Sequence, residues 1–538
     1  MQGTNRMTDN KYDTVIVGGG IAGLTAAAYL SRDGRKTLLI EKNSECGGLV
    51  NSFVRDGFTF DAGIRALEDA GIILPMLEDL GISLEMVKNP VSIGIGKDIL
   101  NVDGIESLDI YSDLLKKIYP DSGNDIDSTI KVIRKVMKDM DVLYGVENPF
   151  FKDLKHDRQY IFKKLLPWLP KFIFTIGRIN RMNGPVEEYL ETIIKDAALR
   201  DIISQHFFRN TPTFFALSYF SLYLDYFYPK GGVGKLAEAL ENRIIEWGGQ
   251  IKRGTRIVEV EAGKNLVRDH DGTAYTYDTL IWASDLKTFY NITRTEGLDT
   301  KVRAGFEDSK ERIMQHRGGD SVFTLYVEAD EPLDTFRKIA HGHFFYTPLK
   351  KGLGQTHRTE LDRLLGDTGG LDKEKVLAWL DRFLELNTYE ISIPGLKDPD
   401  LVPEGKTGLI ISILAEYDLF RAIQDAGWYD EFTGEVESRI LRVISDSVYP
   451  VLKDRTIKYF SFTPISIANR IASSEGAITG WSFQDTVPVV NRIQGSERAV
   501  LTPVPSIFQA GQWTYSPAGV PMSILTGRLA ATRALKRN

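Results

Sequence analysis

The chain has little cysteine and histidine, and it has no excess of positive charge. Of its 538 residues, one is cysteine and 7 are histidine. A single cysteine excludes an internal disulfide and leaves no paired Cys or Cys/His ligand spacing, so we expect a reducing compartment and no metal site. Lys and Arg total 66 against 73 Asp and Glu, a net charge of -7. This balance gives no support to a nucleic-acid partner.

Long apolar runs are also missing. The first residues, MQGTNRMTDNKYD, contain no apolar core of the signal-peptide kind. No later window approaches the ~18 uninterrupted apolar residues of a membrane-spanning helix. We therefore expect a protein that does not cross a membrane and that lies in the cytoplasm, either free or at a membrane surface.

The N-terminal region contains the pattern of a dinucleotide-binding βαβ unit, YDTVIVGGGIAGLTAAAYLSRDGRKTLLIEK. Gly18 permits a tight turn, Gly20 lets the backbone approach a pyrophosphate, and Gly23 lets the helix pack closely on the strand. Glu41 ends the second strand, where a carboxylate accepts hydrogen bonds from ribose hydroxyls. Ile21 and Ala22 open the helix whose N-terminus would face the phosphates.

Two further glycine motifs follow the βαβ unit and favour FAD over NAD. Lys42 precedes SECGGLV, in which Gly47 and Gly48 would allow a close backbone approach to the flavin side of a cofactor. FDAG then follows. This order resembles the extended fingerprint of FAD-binding amine oxidases and phytoene desaturases. The predicted cofactor residues of this region are Lys42, Gly47, Gly48, Leu49, Asp61 and Gly63.

The middle of the chain, from Tyr228 to Leu286, predicts one helix and three β runs. The helix has apolar spacing from Leu236 to Trp247 and ends at a Gly-Gly pair. The β runs are expected at 250–260, 265–269 and 273–283, with the first two forming a hairpin and the third joining a parallel core. The resemblance implies that Ile257 lies against the adenine and that Ala283 lies close to the pyrophosphate.

A closing motif near the C-terminus reads AGQWTYSPAGVP and precedes a predicted helix. It resembles the GD or GQ-x-x-x-P-G-x-G-(V/I)-P motif of phytoene desaturases, carotenoid isomerases and retinol saturases, with Ala518 at a position where glycine is common. The segment DPDLVPEGK resembles another conserved segment of that family. The resemblance implies a helix N-terminus beneath the flavin, and it adds as cofactor residues Gly511, Gln512, Gly519, Val520 and Pro521.

The resemblance covers nearly the whole chain and implies its fold class. We expect an α/β protein with a Rossmann-type FAD-binding domain of the GR2 type and an inserted mixed α+β substrate domain. The discontinuous FAD-binding domain is predicted at 12–90, 226–290 and 476–538. The substrate-binding and membrane-contacting domain is predicted at 91–225 and 291–475.

Two segments of the inserted domain bear on the substrate. The aromatic-rich stretch at 206–229 is interpreted either as ordinary core or as the wall of an apolar tunnel for an extended hydrocarbon. The stretch at 150–184 mixes basic, aromatic and aliphatic residues. It indicates a helix at a membrane surface or, alternatively, a helical hairpin broken at Pro167 and Pro170 that packs on its own protein.

The resemblance implies an FAD-dependent oxidoreductase that acts on isoprenoid or carotenoid-like polyene lipids by hydride transfer, in desaturation, isomerisation or saturation. Arg65, two residues after Gly63 of the FDAG motif, is the one catalytic candidate. A flavin amine oxidase is an alternative, and so is a non-catalytic lipid carrier like the GDP-dissociation inhibitors. Cys46 and the HxH pair of His341 and His343 are interpreted as structural residues.

Overall fold

The computed structural model describes residues 10–152, 154, 156–354, 356–366 and 370–537. Its strands are β1 Lys11–Val17, β2 Thr37–Ile40, β3 Ser52–Arg55, β4 Phe58–Asp61, β5 Leu67–Glu68, β6 Met86–Lys88, β7 Val91–Ile95, β8 Asp98–Val102, β9 Tyr226–Pro229, β10 Gln250–Lys252, β11 Ile257–Glu261, β12 Leu266–Asp269, β13 Ala274–Trp282, β14 Thr293–Arg294, β15 Ser321–Ala329, β16 His343–Thr347, β17 Tyr389–Ser392, β18 Thr407–Ala415, β19 Thr456–Phe462 and β20 Ile507–Gln509.

Its α-helices are α1 Ile21–Arg32, α2 Ile73–Asp79, α3 Ser107–Ile118, α4 Gly123–Tyr144, α5 Arg158–Tyr160, α6 Leu166–Ile179, α7 Val186–Glu191, α8 Ala197–Ser204, α9 Thr213–Leu224, α10 Gly234–Glu246, α11 Leu286–Ile292, α12 Thr300–Met314, α13 Leu333–Arg337, α14 Leu361–Leu365, α15 Lys373–Leu386, α16 Pro394–Lys397, α17 Tyr417–Asp425, α18 Tyr429–Ser447, α19 Leu452–Arg455, α20 Pro464–Ile471, α21 Ser496–Ala499 and α22 Val520–Arg537. Turns of π-helix lie at Ile161–Leu165 and Thr356–Glu360.

The first sheet has a parallel core of β10, β2, β1, β13 and β20. Strands β11 and β12 join β13 in an antiparallel meander, and β14 pairs with β11. The core strands read as continuous apolar runs because helices cover one face and the meander with α11 and α12 covers the other. Helices α1, α10 and α22 pack together on the first face.

The second sheet is mixed, with the order β19-β15-β18-β17-β16-β7-β8. Only the β16–β7 pair is parallel among its described strands. Helices α15, α17 and α18 pack against it and bury the largest apolar cluster of this half. Two further small sheets have the strand orders β3-β4 and β5-β9-β6.

The predicted α/β class with a parallel βαβ core is confirmed. The antiparallel pairing of β11 with β12 and the parallel pairing of β13 with β1 are also as predicted. The predicted strand at 250–260 is instead two strands, because the chain turns at Gly254, which has φ +66°. β10 then pairs with β2 at the sheet edge, while β11 joins the meander.

The predicted break at Pro167 and Pro170 is wrong. α6 runs through both residues, and the π-helical turn at Ile161–Leu165 continues directly into it, since Leu165 and Leu166 keep right-handed helical dihedrals. Among the described residues, no helix combines the length and the apolar character needed to cross a bilayer. The domain limits stay a prediction, and β14 lies in the first sheet just past the predicted limit at 290.

Candidate active site

A cavity of about 400 Å³ lies between the carboxyl ends of the parallel strands and the second sheet. It brings together most of the residues that the motifs single out, although they are spread over the whole chain. The predicted residues that line it are Gly18, Gly20, Ile21, Ala22, Glu41, Gly47, Gly48, Leu49, Gly63, Arg65, Ala283, Gly511, Gln512, Gly519 and Val520.

The loop after β1 forms an opening for an anionic group. Gly18 has φ +108°, and a Cβ there would lie 2.6 Å from the carbonyl oxygen of Ala283. A Cβ on Gly20 would have no heavy atom within 4 Å, because the residue faces the cavity. Gly20 is also the N-cap of α1, and neither a capping side chain nor an acidic residue occupies this helix end. The first-turn N–H groups are therefore available to a pyrophosphate.

Glu41 follows β2 and is held on one side by backbone groups. Its Oε2 accepts a hydrogen bond from Gly19 N at 2.7 Å, and its Oε1 accepts one from Asn43 N at 2.8 Å. A carboxylate has further lone pairs beyond these two bonds. Because Glu41 also lines the cavity, its remaining acceptor capacity suits the hydroxyls of a ribose.

The second glycine pair is tied directly to the first loop. Gly47 N donates to the carbonyl oxygen of Gly19 at 2.8 Å, and Ile64 N donates to Leu49 O at 3.0 Å. A Cβ on Gly63 would lie 2.1 Å from Leu49 O. The segments around Gly47 and Gly63 thus meet at backbone distance and form one continuous wall of the cavity.

The closing motif completes this wall from the C-terminal end. Gly511 has φ +98°, and its N–H donates to Thr526 Oγ1 of α22 at 3.0 Å. Gln512 Nε2 lies 3.3 Å from Ala477 O, to which it donates. Helix α22 begins at Val520, so the predicted helix N-terminus at the cavity is confirmed as a structural feature.

Five predicted cofactor residues do not belong to the described cavity wall: Gly23, Lys42, Asp61, Ile257 and Pro521. Gly23 supports the site by packing, since a Cβ there would lie 2.0 Å from Gly18 O. Asp61 is fully buried, and its carboxylate accepts hydrogen bonds from Ser52, Tyr228 and the backbone of Val233. Its position between β3, β9 and α10 suits a structural anchor, and direct cofactor contact by these five residues stays a prediction.

The motifs do not reveal a buried charged cluster beside Arg65. Arg65 donates to Gly63 O and to Ser412 Oγ, and its Nε has no hydrogen-bond partner. His343 Nε2 lies 3.1 Å from Glu390 Oε1, and Lys397 Nζ donates to Arg65 O at 2.9 Å. Arg65, His343 and Glu390 line the cavity, whereas Lys397 is not among its lining residues.

Burial and mutual charge set the protonation of this cluster. Burial alone would raise the pKa of Glu390, but His343, Arg65 and Lys397 lower it, and the net direction is down. Burial lowers the pKa of His343 and lowers the pKa of Lys397 to about 8. The cluster therefore combines an ionised carboxylate with a neutral imidazole at neutral pH.

The residues of the aromatic stretch divide between the cavity wall and the apolar core, and a hydrocarbon tunnel stays a prediction. Its inner face supplies cavity-lining side chains from the loop before α9, from α9 and from β9, namely Phe208, Phe215, Tyr219, Leu222 and Tyr226. Phe214, Phe220 and Tyr223 belong instead to the apolar core around α4. Phe345 of the second sheet extends the aromatic wall and stacks with Tyr223 at 5.2 Å between ring centroids.

Cys46 and His341 have structural surroundings, whereas His343, the other member of the HxH pair, lines the cavity beside Glu390. Cys46 is buried, and burial together with Glu241 raises the pKa of its thiol. His341 Nε2 lies 3.1 Å from Asp103 Oδ1, away from His343. Within the described residues, no group of three or more His, Cys, Asp or Glu side chains is placed to hold a metal ion.

The fold and the cavity define a dinucleotide-binding α/β protein in which a glycine-lined cofactor cleft opens into an aromatic chamber. The family model described as flavin containing amine oxidoreductase matches residues 21–355. The chain belongs to this family.

The relatives that it matches extend over most of the chain. All-trans-retinol 13,14-reductase of Danio rerio is 22% identical over 555 residues, covering 93% of this chain and 82% of that protein. Carotenoid 3,4-desaturase of Haloarcula japonica is 23% identical over 543 residues, covering 96% of this chain and 97% of that protein. The solved structure of a putrescine oxidase triple mutant superposes with a TM-score of 0.60 at 14% identity, covering 98% of this chain and 99% of that structure.

The predicted membership of the phytoene desaturase, carotenoid isomerase and retinol saturase-like group is confirmed by relatives named phytoene desaturase, carotenoid desaturase and retinol reductase, and the cofactor is FAD. The cavity fits this group because its wall is made of close backbone approaches and because Gly20 leaves open space at the uncapped end of α1. The protein is therefore an FAD-dependent oxidoreductase related to the carotenoid desaturases and the retinol reductases.

Proposed function

We propose that the protein oxidises, reduces or isomerises a polyene lipid by hydride exchange with its bound flavin. The observation that carries this proposal is the continuity of one cavity: glycine-rich backbone forms one part of its wall, and Phe215, Tyr219 and Phe345 form another. Aromatic walls of this kind suit a flat hydrocarbon and exclude water from the reacting carbon atoms.

In this proposal the motif residues hold FAD as the sequence patterns predict. The first-turn N–H groups of α1 bind the pyrophosphate, and Glu41 binds the ribose of the adenosine half. Gly48, Gly63 and Gly511 let the backbone approach the flavin half closely. The bound flavin supplies a two-electron acceptor and donor of hydride. The discontinuous domain limits given by the motifs are part of the same proposal.

Arg65 is proposed to act at the boundary between cofactor and substrate. Its side chain is buried and lines the cavity, and its Nε keeps one hydrogen-bond donor free. Its carbonyl oxygen accepts from Lys397 and from Asn89, which fixes the backbone at this point. A positioned cation there would stabilise negative charge that develops during reaction.

An absorbance spectrum followed by anaerobic titration tests the function. We expect flavin bands in the purified protein, and we expect them to bleach when a saturated or polyene lipid partner is added without oxygen. The same anaerobic titration with a panel of primary amines serves as the comparison. Bleaching by amines alone would replace the polyene function with an amine oxidase function, and absence of flavin after reconstitution with excess FAD would favour a lipid carrier.

We also propose that α6 and the preceding π-turn lie against an anionic membrane surface. Exposed apolar side chains at positions 162, 166, 169 and 173 follow helical spacing, and Phe174 is 75% exposed. Lys163, Lys164 and Lys171 are exposed on the same segment. The opposite side is anchored on α4, where Arg178 pairs with Asp139. Apolar side chains flanked by lysines are typical of helices that lie in the headgroup region.

Vesicle co-sedimentation tests this surface. We expect the protein to bind vesicles that contain phosphatidylglycerol and to bind less as salt rises, because charged headgroups are screened. The double variant Ile173→Ser/Phe174→Ser is expected to lose this binding. Ile245→Ser is the matched control, since Ile245 is 56% exposed on α10. Equal binding by the double variant and the control would contradict the proposal.

A further inference from the structure

One carboxyl of the cavity wall has no structural partner. Four carboxylic side chains line the cavity, belonging to Glu41, Glu68, Asp285 and Glu390. Glu41 and Asp285 each accept two backbone N–H groups, and Glu390 pairs with His343. Within the described chain, the Glu68 carboxyl makes no hydrogen bond or ion pair to another residue and is reached only by its own backbone N–H, although enclosing a weakly paired acid is unfavourable. Because other residues do not fix this carboxyl, we infer that it contacts a group bound in the cavity.

Glu68 stands where the cofactor part of the wall meets the aromatic part. Strand β5 pairs with β9, which places Glu68 opposite Tyr226. On the other side, a Cβ built on Gly519 would lie 3.7 Å from Glu68 Oε1, so the carboxyl is adjacent to the start of α22. The same carboxyl thus borders both the proposed flavin wall and the proposed substrate wall.

The groups around Glu68 keep its carboxyl protonated up to neutral pH. Burial, together with the nearby carboxylate of Asp225, raises its pKa to about 7, against the lowering effect of its own backbone N–H. The other titratable groups that face it are the phenols of Tyr144, Tyr219 and Tyr226. No described cation is among the groups that shift its pKa. A carboxyl of this kind changes protonation near neutral pH, which suits a proton donor or acceptor.

We propose that Glu68 exchanges a proton with the carbon skeleton of the substrate. The proposal rests on the polyene function above. In desaturation, one C–H bond would break with its electron pair leaving as hydride, for which bound FAD would be the acceptor. The neighbouring C–H bond would lose its proton to the Glu68 carboxylate, and the electrons of that bond would form the C=C bond. In saturation the protonated Glu68 carboxyl would return the proton, and bound reduced FAD would be the source of the hydride.

The substitution Glu68→Gln tests this role because it keeps the size of the side chain and removes the exchangeable proton. We expect anaerobic flavin reduction by the lipid to slow by at least about 100-fold, with FAD content and flavin spectrum unchanged. Glu68→Asp is expected to restore part of the rate. The control Glu85→Gln alters an exposed carboxylate that pairs with Lys230, and it should react like the wild type.

The pH dependence separates a proton-exchange role from a packing role. The wild-type reduction rate should change around pH 7, and the variant should lose this dependence. A Glu68→Gln protein that reacts at the wild-type rate, or that is slower with an unchanged pH profile, would overturn the proposal.

Infrared difference spectroscopy provides a readout that needs no substrate. Titration of the FAD-loaded protein should show a protonated-carboxyl band that disappears around pH 7 and that is missing in Glu68→Gln. Absence of this band from the wild type would contradict the role of Glu68. A wild-type flavin that no lipid reduces would instead contradict the polyene function, so the two failures are distinguishable.

Discussion

Gly18 and Gly20 stand two residues apart in one loop and lack a side chain for different reasons. Gly18 has φ +108°, and its backbone lies against the carbonyl oxygen of Ala283. Gly20 has φ -70°, which any residue adopts, and its missing side chain leaves space in the cavity. The first glycine therefore serves the fold, and the second is proposed to serve the cofactor.

Alanine substitutions should separate these two roles. Gly18→Ala is expected to lower the free energy of unfolding of the apoprotein by about 1–3 kcal/mol, since it introduces strain and a close contact. Gly20→Ala is expected to leave that stability within about 0.5 kcal/mol and to weaken FAD binding at least about 10-fold. Urea unfolding of the apoprotein and fluorescence titration with FAD measure the two effects. Equal FAD affinity in Gly20→Ala would contradict the proposed pyrophosphate position.

Glu41 gives a second residue-scale prediction. Glu41→Gln keeps the shape but removes the charge that strengthens hydrogen bonds to Gly19 and to a ribose, so FAD affinity should fall by roughly 10-fold. The matched control is Glu45→Gln, because Glu45 is exposed a few residues away. Titration of both apoproteins with FAD checks the difference, and equal losses would show that Glu41 does not bind the cofactor.

At the scale of elements, the contact between α1 and α22 holds the two ends of the chain together at the cavity. A Cβ on Gly527 would lie 2.3 Å from the carbonyl oxygen of Ala22. The helices therefore approach each other at backbone distance. This contact fixes the start of α22 relative to the glycine loop, although these segments are far apart in sequence.

A pair of helical glycines tests this contact. Gly527→Ala should lower the free energy of unfolding by about 1–3 kcal/mol, because the methyl group forces the two helices apart. Gly434→Ala in α18 should raise it by about 0.5–1 kcal/mol, since Gly434 has open space around it and alanine favours a helix. Urea unfolding of both variants gives the comparison. Stabilisation by Gly527→Ala would mean that the close approach does not hold.

At the scale of the whole molecule, the cavity makes the fold sensitive to acid. Burial lowers the pKa of His206 to about 4, below its usual 6.5, and its Nδ1 has no hydrogen-bond partner. The unfolded chain therefore binds more protons than the folded chain between these two pH values. Stability contributed by the neutral histidine is present above about pH 6.5 and is lost as pH falls towards 4.

The substitution His206→Phe should reduce this acid sensitivity. Phenylalanine fills a similar volume beside Phe207 and Phe345 and takes up no proton. The difference in free energy of unfolding between pH 7.5, above the unfolded pKa of ~6.5, and pH 4.5, close to the folded pKa of about 4, should be smaller in the variant than in the wild type. His270→Gln, at an exposed position, serves as the control. An unchanged difference in His206→Phe would contradict the prediction.

The accuracy of the sequence-based predictions depended on how local each feature is. The glycine loop, Glu41 and the helix at Val520 were predictable because turns, strand ends and helix starts leave signals within a few residues. The run at 250–260 was predicted as one strand because apolar alternation does not report the turn at Gly254.

The sequence by itself determined the α/β class, the FAD cofactor and most of the residues that line the cofactor wall, because backbone approaches to a dinucleotide require glycines at set positions. Only the tertiary structure decided which chemistry-bearing side chains share the cavity. Arg65 lies in the loop between β4 and β5, His343 and Glu390 lie on β16 and β17, and these segments are far apart in sequence. Glu68 is notable only because no other described residue pairs with its carboxyl. Burial and pairing arise when strands and helices pack together, so spacing along the chain carries no signal for them.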